Sequence, residues 1–250
     1  MLRVEHLTKV YEDGTVALSD VSFEVPDGEF LAIIGLSGSG KSTLLRCINR
    51  LIDPTEGRIL WNDEDITAAT QEDMRRIRRR IGMVFQHFNL VHRSKVITNV
   101  LAGRLGYTSP ALAVVNRFLK ADRERAIQQL ARVGLQDKAN NNAEDLSGGQ
   151  QQRVGIARAM MQDPEMILAD EPVASLDPVL AHSIMQILET INREDRVTVL
   201  CSLHFLDLVH RYGQRVIALN EGRVVFEGLP SEIDDDMFKD IYGQEAERVG

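Results

Sequence analysis

Apolar and polar positions alternate from the first residues of the chain, and Val4–Val10 and Val16–Val25 read as strands. The second closes on the turn Pro26-Asp27-Gly28. Phe30–Ile34 is different: it is apolar throughout, as a strand buried on both faces is, and it runs straight into a glycine-rich stretch. A helix is predicted over Lys41–Leu51, stopped near Pro54, then a strand over Gly57–Trp61 with a turn at Asn62-Asp63. Ile81–Phe85 is the next buried strand. From about Asn89 to Met161 helical spacing takes over and strand signals fade. Strands return at Met166–Ala169, Val197–Ser202, Val216–Leu219 and Val224–Phe226, with helices after Pro178 and after His204. Short buried strands alternating with helices predict a parallel α/β core. The expected organisation is one domain over 1–250, with 1–88 and 162–250 forming a β subdomain and core and 89–161 an inserted helical lobe.

Composition narrows the picture only a little. Hydrophobic residues make up 44% and charged residues 26% of the 250, a globular balance. The net charge of -8 speaks against nucleic acid as the main partner. Strand-like alternation at the start argues against a signal peptide. No apolar run approaches the roughly 20 residues that cross a bilayer, so any membrane passage must belong to another chain. The two cysteines, Cys47 and Cys201, sit in apolar stretches and are expected to be reduced and buried. Arg75-Arg76 and Arg78-Arg79-Arg80 are expected to be a solvated helix face rather than a nucleic-acid or lipid patch. Asp234-Asp235-Asp236 is expected to open a helix, where carboxylates suit the positive end.

The chemistry begins at Gly35–Thr43, GLSGSGKST, which fits the G-x-x-x-x-G-K-[ST] phosphate loop. Backbone N–H groups can surround a triphosphate only where side chains stay clear, which Gly35, Gly38 and Gly40 allow. The following helix aims its free N–H groups and positive dipole end at the phosphates. Lys41 adds charge on the outer phosphates, and the Ser42 hydroxyl suits Mg²⁺. The nucleotide-binding set expected here also includes Ser37, Ser39 and Thr43. An apolar strand ending in a carboxylate, Ile167-Leu168-Ala169-Asp170, supplies an acidic partner for the metal at the edge where ligands of parallel sheets collect. Glu171 is expected to polarise the attacking water.

Downstream, Leu146–Gln150 reads LSGGQ. Ser147-Gly148-Gly149-Gln150 satisfies a capping box, and a glycine-rich helix start is also an anion site. A phosphate loop and LSGGQ on one chain resemble the nucleotide-binding subunits of ATP-binding cassette (ABC) transporters, from about Leu2 to Phe238. The resemblance implies an α/β P-loop NTPase (RecA-like) fold: a parallel-sheet core, an antiparallel β subdomain and an inserted α-helical subdomain. It further implies that Ser147, Gly148, Gly149 and Gln150 touch the γ-phosphate held by another subunit. Tyr11 would stack on adenine, and Ser175-Leu176-Asp177 would be the loop that crosses to the partner. Gln86 would touch metal or water, joining Ser42 and Asp170 around Mg²⁺, and would border the membrane subunit. His204 would be the switch histidine on the γ-phosphate. Val173-Ala174 stands where Thr-Ser is commoner, and Ser202 where Thr often precedes the histidine.

The implied assembly is a head-to-tail homodimer with two ATP molecules at its interface. Transmembrane permease subunits and, indirectly, a solute-binding protein complete it, with this chain peripheral on the cytoplasmic face of the inner membrane. Leu90, Val91 and Val96 are expected to present apolar surface to the permease. Phe85–Val91, Leu101–Gly106, the apolar insertion Pro110–Leu119, Ala169–Asp177 and Ser202-Leu203-His204 look like bacterial phosphonate import ATPases, with phosphite importers not separable. Polar-amino-acid and methionine importers share Phe85–Leu90. A soluble ABC ATPase outside transport and a regulatory nucleotide-binding module with little turnover are the readings from other classes.

Overall fold

A computed structural model of the chain describes residues 1–108 and 118–242. Most of the apolar insertion Pro110–Leu119 and the tail after Tyr242 lie outside these residues. β1 (Leu2–Val10) pairs antiparallel with β2 (Val16–Val25) and with β4 (Glu56–Trp61). With the two-residue β5 (Glu64–Asp65) they form a four-stranded sheet in the order β2-β1-β4-β5. The second sheet contains β3 (Phe30–Ile34), β6 (Ile81–Val84), β7 (Met166–Ala169), β8 (Thr198–Ser202), β9 (Arg215–Asn220) and β10 (Arg223–Gly228). Its order is β10-β9-β3-β8-β7-β6, and every pairing is parallel except β10 on β9.

The unbroken apolar runs are explained by burial on both sides. In β3, Phe30, Ala32 and Ile34 enter one core while Leu31 and Ile33 enter the other. β7 divides the same way, with Ile167 and Ala169 on the first side and Met166 and Leu168 on the second. The first core is shared with α3 (Val96–Leu101), α4 (Lys120–Arg132), α5 (Gly148–Met160) and α6 (Pro178–Asp195). The second is shared with the four-stranded sheet, α1 (Lys41–Ile48) and α2 (Gln71–Arg79). α7 (Leu206–Tyr212) follows β8, and α8 (Asp235–Tyr242) begins where Asp234 Oδ1 accepts the Met237 N–H at 2.8 Å, as the acidic run anticipates. Because β3, β8 and β7 are neighbours and parallel, the loops leaving their carboxyl ends meet at one edge.

Several expectations are corrected. α1 ends at Ile48 rather than Leu51, because the chain turns through Arg50 at φ 49° and the Arg46 carbonyl accepts both the Leu51 and Ile52 N–H groups. Phe85 falls outside β6. Leu90 and Val96 are 7% and 0% exposed and belong to the core, so of the three expected permease contacts Val91 alone, at 64%, faces outward. Two turns of α2 bury Met74 and Ile77, so the arginines that follow are drawn against the core rather than into solvent. Arg78 donates to the carbonyls of Asn49 and Arg50, and Arg79 lies over the Tyr107 ring. Arg80 pairs with Glu165 and Glu64 and covers Trp61. Only Arg75 and Arg76 form the exposed face. Cys47 and Cys201 are free and buried.

Candidate functional site

The loop between β3 and α1 is shaped by glycines at two points. A Cβ on Gly35 (φ 140°) would stand 2.1 Å from the Leu219 carbonyl oxygen, and one on Gly40 (φ 106°) 2.5 Å from that of Ala17. The backbone packs too closely there for any side chain. Gly38 (φ 82°) instead faces open space, with nothing within 4 Å. α1 starts directly after Gly40 with no side-chain cap and no acid in its first turn, so its leading N–H groups and positive end remain available. Ser39 is buried, and its Oγ has no partner among the described residues. Spare donors around a cradle kept clear of side chains suit an oxyanion. Ser37 is exposed on the same loop. Lys41 is buried and donates to the carbonyls of Gly35 and Leu36, both at 2.9 Å. Burial lowers its pKa below the ordinary lysine value, opposed by the carboxylates of Glu171 and Asp170.

At the end of β7 the acidic residues join this cradle. The Ser42 hydroxyl donates to Asp170 Oδ1 at 2.6 Å, and Arg46 Nη2 reaches Asp170 Oδ2 at 3.3 Å. Ser42 and Arg46 are one helical turn apart, so both reach the same carboxylate from one face of α1. The Glu171 N–H donates to Ser202 Oγ at 2.8 Å, and that oxygen lies 3.4 Å from Asp170 Oδ1. Glu171 sits at φ 48°, which turns its carboxylate to His204, with Oε1 2.5 Å from Nε2. Ser42, Asp170, Ser202, Glu171 and His204 thus form one hydrogen-bonded run along the sheet edge. A cavity of about 240 Å³ opens beside it, lined by Tyr11, Val16, Gly38, Lys41, Thr43 and Glu171. Tyr11 Oη and Thr43 Oγ1 are 3.1 Å apart, which fixes the ring at the rim.

Other sequence-predicted residues stand apart from that run. Gln86 is half-buried in the turn after β6. Ser147–Gln150 open α5 as a reciprocal capping box, with Ser147 N–H to Gln150 Oε1 at 3.1 Å and Gln150 N–H to Ser147 Oγ at 3.4 Å. Gly149 is buried against Leu180, whose methyl would lie 3.0 Å from an added Cβ. Gly148 is exposed, and a Cβ there would meet only ordinary contacts, 3.6 Å from Leu176 and 3.7 Å from Phe88. The capped helix start therefore explains Ser147, Gln150 and Gly149 but leaves Gly148 without a reason inside one copy. Asp177 caps α6 through the Leu180 N–H at 3.0 Å. Sequence reasoning missed Arg46, whose spacing from Ser42 was a usable signal. It also passed over the work of Ser202, noted only as a replacement for threonine.

Residues 18–174 match the family model described as ABC transporter. The chain belongs to the ABC transporter family. Among its relatives is the phosphonates import ATP-binding protein PhnC of Bdellovibrio bacteriovorus, 50% identical over 250 residues that cover 100% of this chain and 96% of that protein. The phosphonates import ATP-binding protein PhnC of Staphylococcus aureus is 48% identical over 252 residues, covering 100% and 98%. Among solved structures, a dimeric ATP-binding cassette in a post-hydrolysis state bound to ADP and Pi superposes with a TM-score of 0.82 at 36% identity, covering 92% of this chain and 99% of that one. A nucleotide-free cassette from an ABC transporter gives 0.82 at 30% identity, covering 96% and 94%. The two sheets with their attached helices are therefore an ABC cassette, a domain that binds ATP. No helix among the described residues is long and apolar enough to cross a membrane.

Proposed function

We propose that this chain is the ATP-hydrolysing subunit of a bacterial importer for phosphonates, with phosphite as a closely related cargo. The observation that carries the ATPase reading is the run from Ser42 through Asp170, Ser202 and Glu171 to His204, set against a phosphate cradle. The cargo reading is supported by full-length likeness to phosphonate import ATP-binding proteins at about half identity.

In this reading the free N–H groups of α1 and the Lys41 ammonium take up the charge of the outer phosphates. Glu171 orients the attacking water and accepts its proton, and His204 holds Glu171 and then the γ-phosphate. Tyr11 stacks on the base. Ser42 and Asp170, already 2.6 Å apart, would hold Mg²⁺ with Gln86. Among the described residues there is no self-sufficient cage of three His, Cys, Asp or Glu side chains, and a hydroxyl with one carboxylate suits an ion shared with phosphates. When bound, the ion neutralises charge on the phosphate oxygens as the bond to the leaving group breaks.

Two copies pair head to tail, each lending the Ser147–Gln150 helix start to the other's ATP, and the chain lies peripherally on the cytoplasmic face of the inner membrane. The 89–161 lobe carries that helix start. With Leu90 and Val96 buried, we assign the permease contact instead to a groove of about 590 Å³ lined by Arg75, Arg79, Leu105, Gly106 and Gln162. Leu105 is exposed there. A solute-binding protein would deliver cargo on the opposite side of the permease. A Lys41→Ala change in the intact operon is expected to abolish growth on phosphonate while growth on phosphate continues. Unchanged phosphonate uptake would sink the reading.

A further inference from the structure

The turn that carries Gln86 is held in an unusual way. Phe88 and Asn89 follow one another at φ 57° and 49°, a region L residues rarely occupy, let alone in succession. Both of their carbonyls accept from a single guanidinium: Arg158 Nη2 donates to Phe88 O at 2.9 Å and Nη1 to Asn89 O at 2.6 Å. Arg158 lies in the last turn of α5, the helix that begins with the LSGGQ residues. It is half-buried and has no carboxylate within ion-pair distance among the described residues, and burial lowers its pKa. A cation in such a place is costly unless its hydrogen bonds are well made. Phe88 meets α5 twice more. Its Cζ would be 3.7 Å from a Cβ on Gly148, and its carbonyl oxygen 3.8 Å from one on Gly155.

We propose that Arg158 is the positioning residue for Gln86: it fastens the Gln86 turn to the last turn of α5 and so sets where Gln86 stands relative to Asp170 and Glu171. This rests on Gln86 acting in the ATP cleft as proposed above. Displacement of a group by an ångström is enough to cost roughly a hundredfold in rate. The bland alternative is that Arg158 merely stabilises the helical lobe, and it makes different predictions.

The test is steady-state ATPase of the full chain for Arg158→Met, Arg158→Lys, Gln86→Ala and the Arg158→Met/Gln86→Ala pair. Arg158→Met is expected to lower kcat roughly tenfold to a hundredfold while KM for MgATP stays within about twofold. Arg158→Lys, which keeps the charge but reaches one carbonyl, is expected to recover part of the loss. The pair is expected to be no slower than Gln86→Ala alone, since both changes remove the same contribution. Losses that multiply would overturn the proposal and leave Gln86 in its role. A Gln86→Ala variant with full kcat would overturn the reading of Gln86, and the proposal with it. If Arg158→Met does not fold, hydrogen exchange of Arg158→Lys decides: faster exchange at the amides of Phe88, Asn89 and Leu90 with the Gly35–Thr43 loop unchanged supports it. Unchanged exchange at that turn refutes it.

Discussion

The Ser202 hydroxyl accepts the Glu171 N–H at 2.8 Å and so holds a carboxylate-bearing residue at φ 48°, against its backbone preference. Ser202 is fully buried, and its oxygen also stands 3.4 Å from Asp170. One hydroxyl therefore fixes the spacing between the two acids. Strain of this kind persists only where the surroundings over-determine it. Ser202→Ala leaves a buried N–H without an acceptor, at a cost of about 1–3 kcal/mol, and frees Glu171 to relax. The expected outcome is a kcat at least about tenfold lower with little change in ATP affinity, and restoration by Ser202→Thr. An unaltered rate in the alanine variant would mean that Ser202 does not hold Glu171.

The two glycines of the signature separate by thermal unfolding. Gly149→Ala drives a methyl toward Leu180 at 3.0 Å and is expected to cost about 1–3 kcal/mol. Gly148→Ala meets only ordinary contacts and gains helix propensity, so its melting temperature is expected to match or exceed that of the parent. Equal destabilisation by both would contradict the packing described.

Lys41 gives the nucleotide-free protein a pH dependence of known sign. Its burial lowers its pKa from 10.5, so the unfolded chain holds the proton more tightly. The cost of the buried charge is fully present below the lowered value and disappears as pH rises toward 10.5. Relative to Lys41→Met, the parent is expected to gain stability as pH rises through the lowered value toward 10.5. Melting curves of both proteins across that range supply the check, and a difference that stays flat would count against it.

Both thiols are expected to be inert in the native state. Burial pushes the Cys47 pKa up to about 11 and that of Cys201 higher still. A thiol-specific chromogenic reagent at neutral pH is expected to read no reactive cysteine until denaturant is added, then two. Early reaction would show that one of the two cores opens.

Much of this cassette was legible because its signals are local. Phe30–Ile34 and Met166–Ala169 are buried on both faces and appear as unbroken apolar runs with the observed bounds. The phosphate loop is legible because its glycines answer to backbone approach. Exposure was harder to read. Leu90 and Val96 resemble surface anchors until the helices that cover them are in place, and Arg78 and Arg80 look solvated until the carbonyls and acids they serve come from elsewhere in the chain. The left-handed backbone of Glu171 and Phe88 leaves no trace in residue type, and at Asn89 the asparagine is the only sign of it. Arg158 shows the same limit: its partners lie about 70 residues away.

The open flank of Gly148 has a genetic consequence. An alanine there leaves its own subunit folded, because its Cβ meets only Leu176 and Phe88, at ordinary separations. In the proposed head-to-tail pair the injury falls on the nucleotide of the neighbour instead. Such an allele is expected to behave as a poison when co-expressed with the intact gene, depressing uptake below what halving the dose would do. Alleles that abolish folding outright would remain recessive, because a chain that cannot fold never reaches its partner.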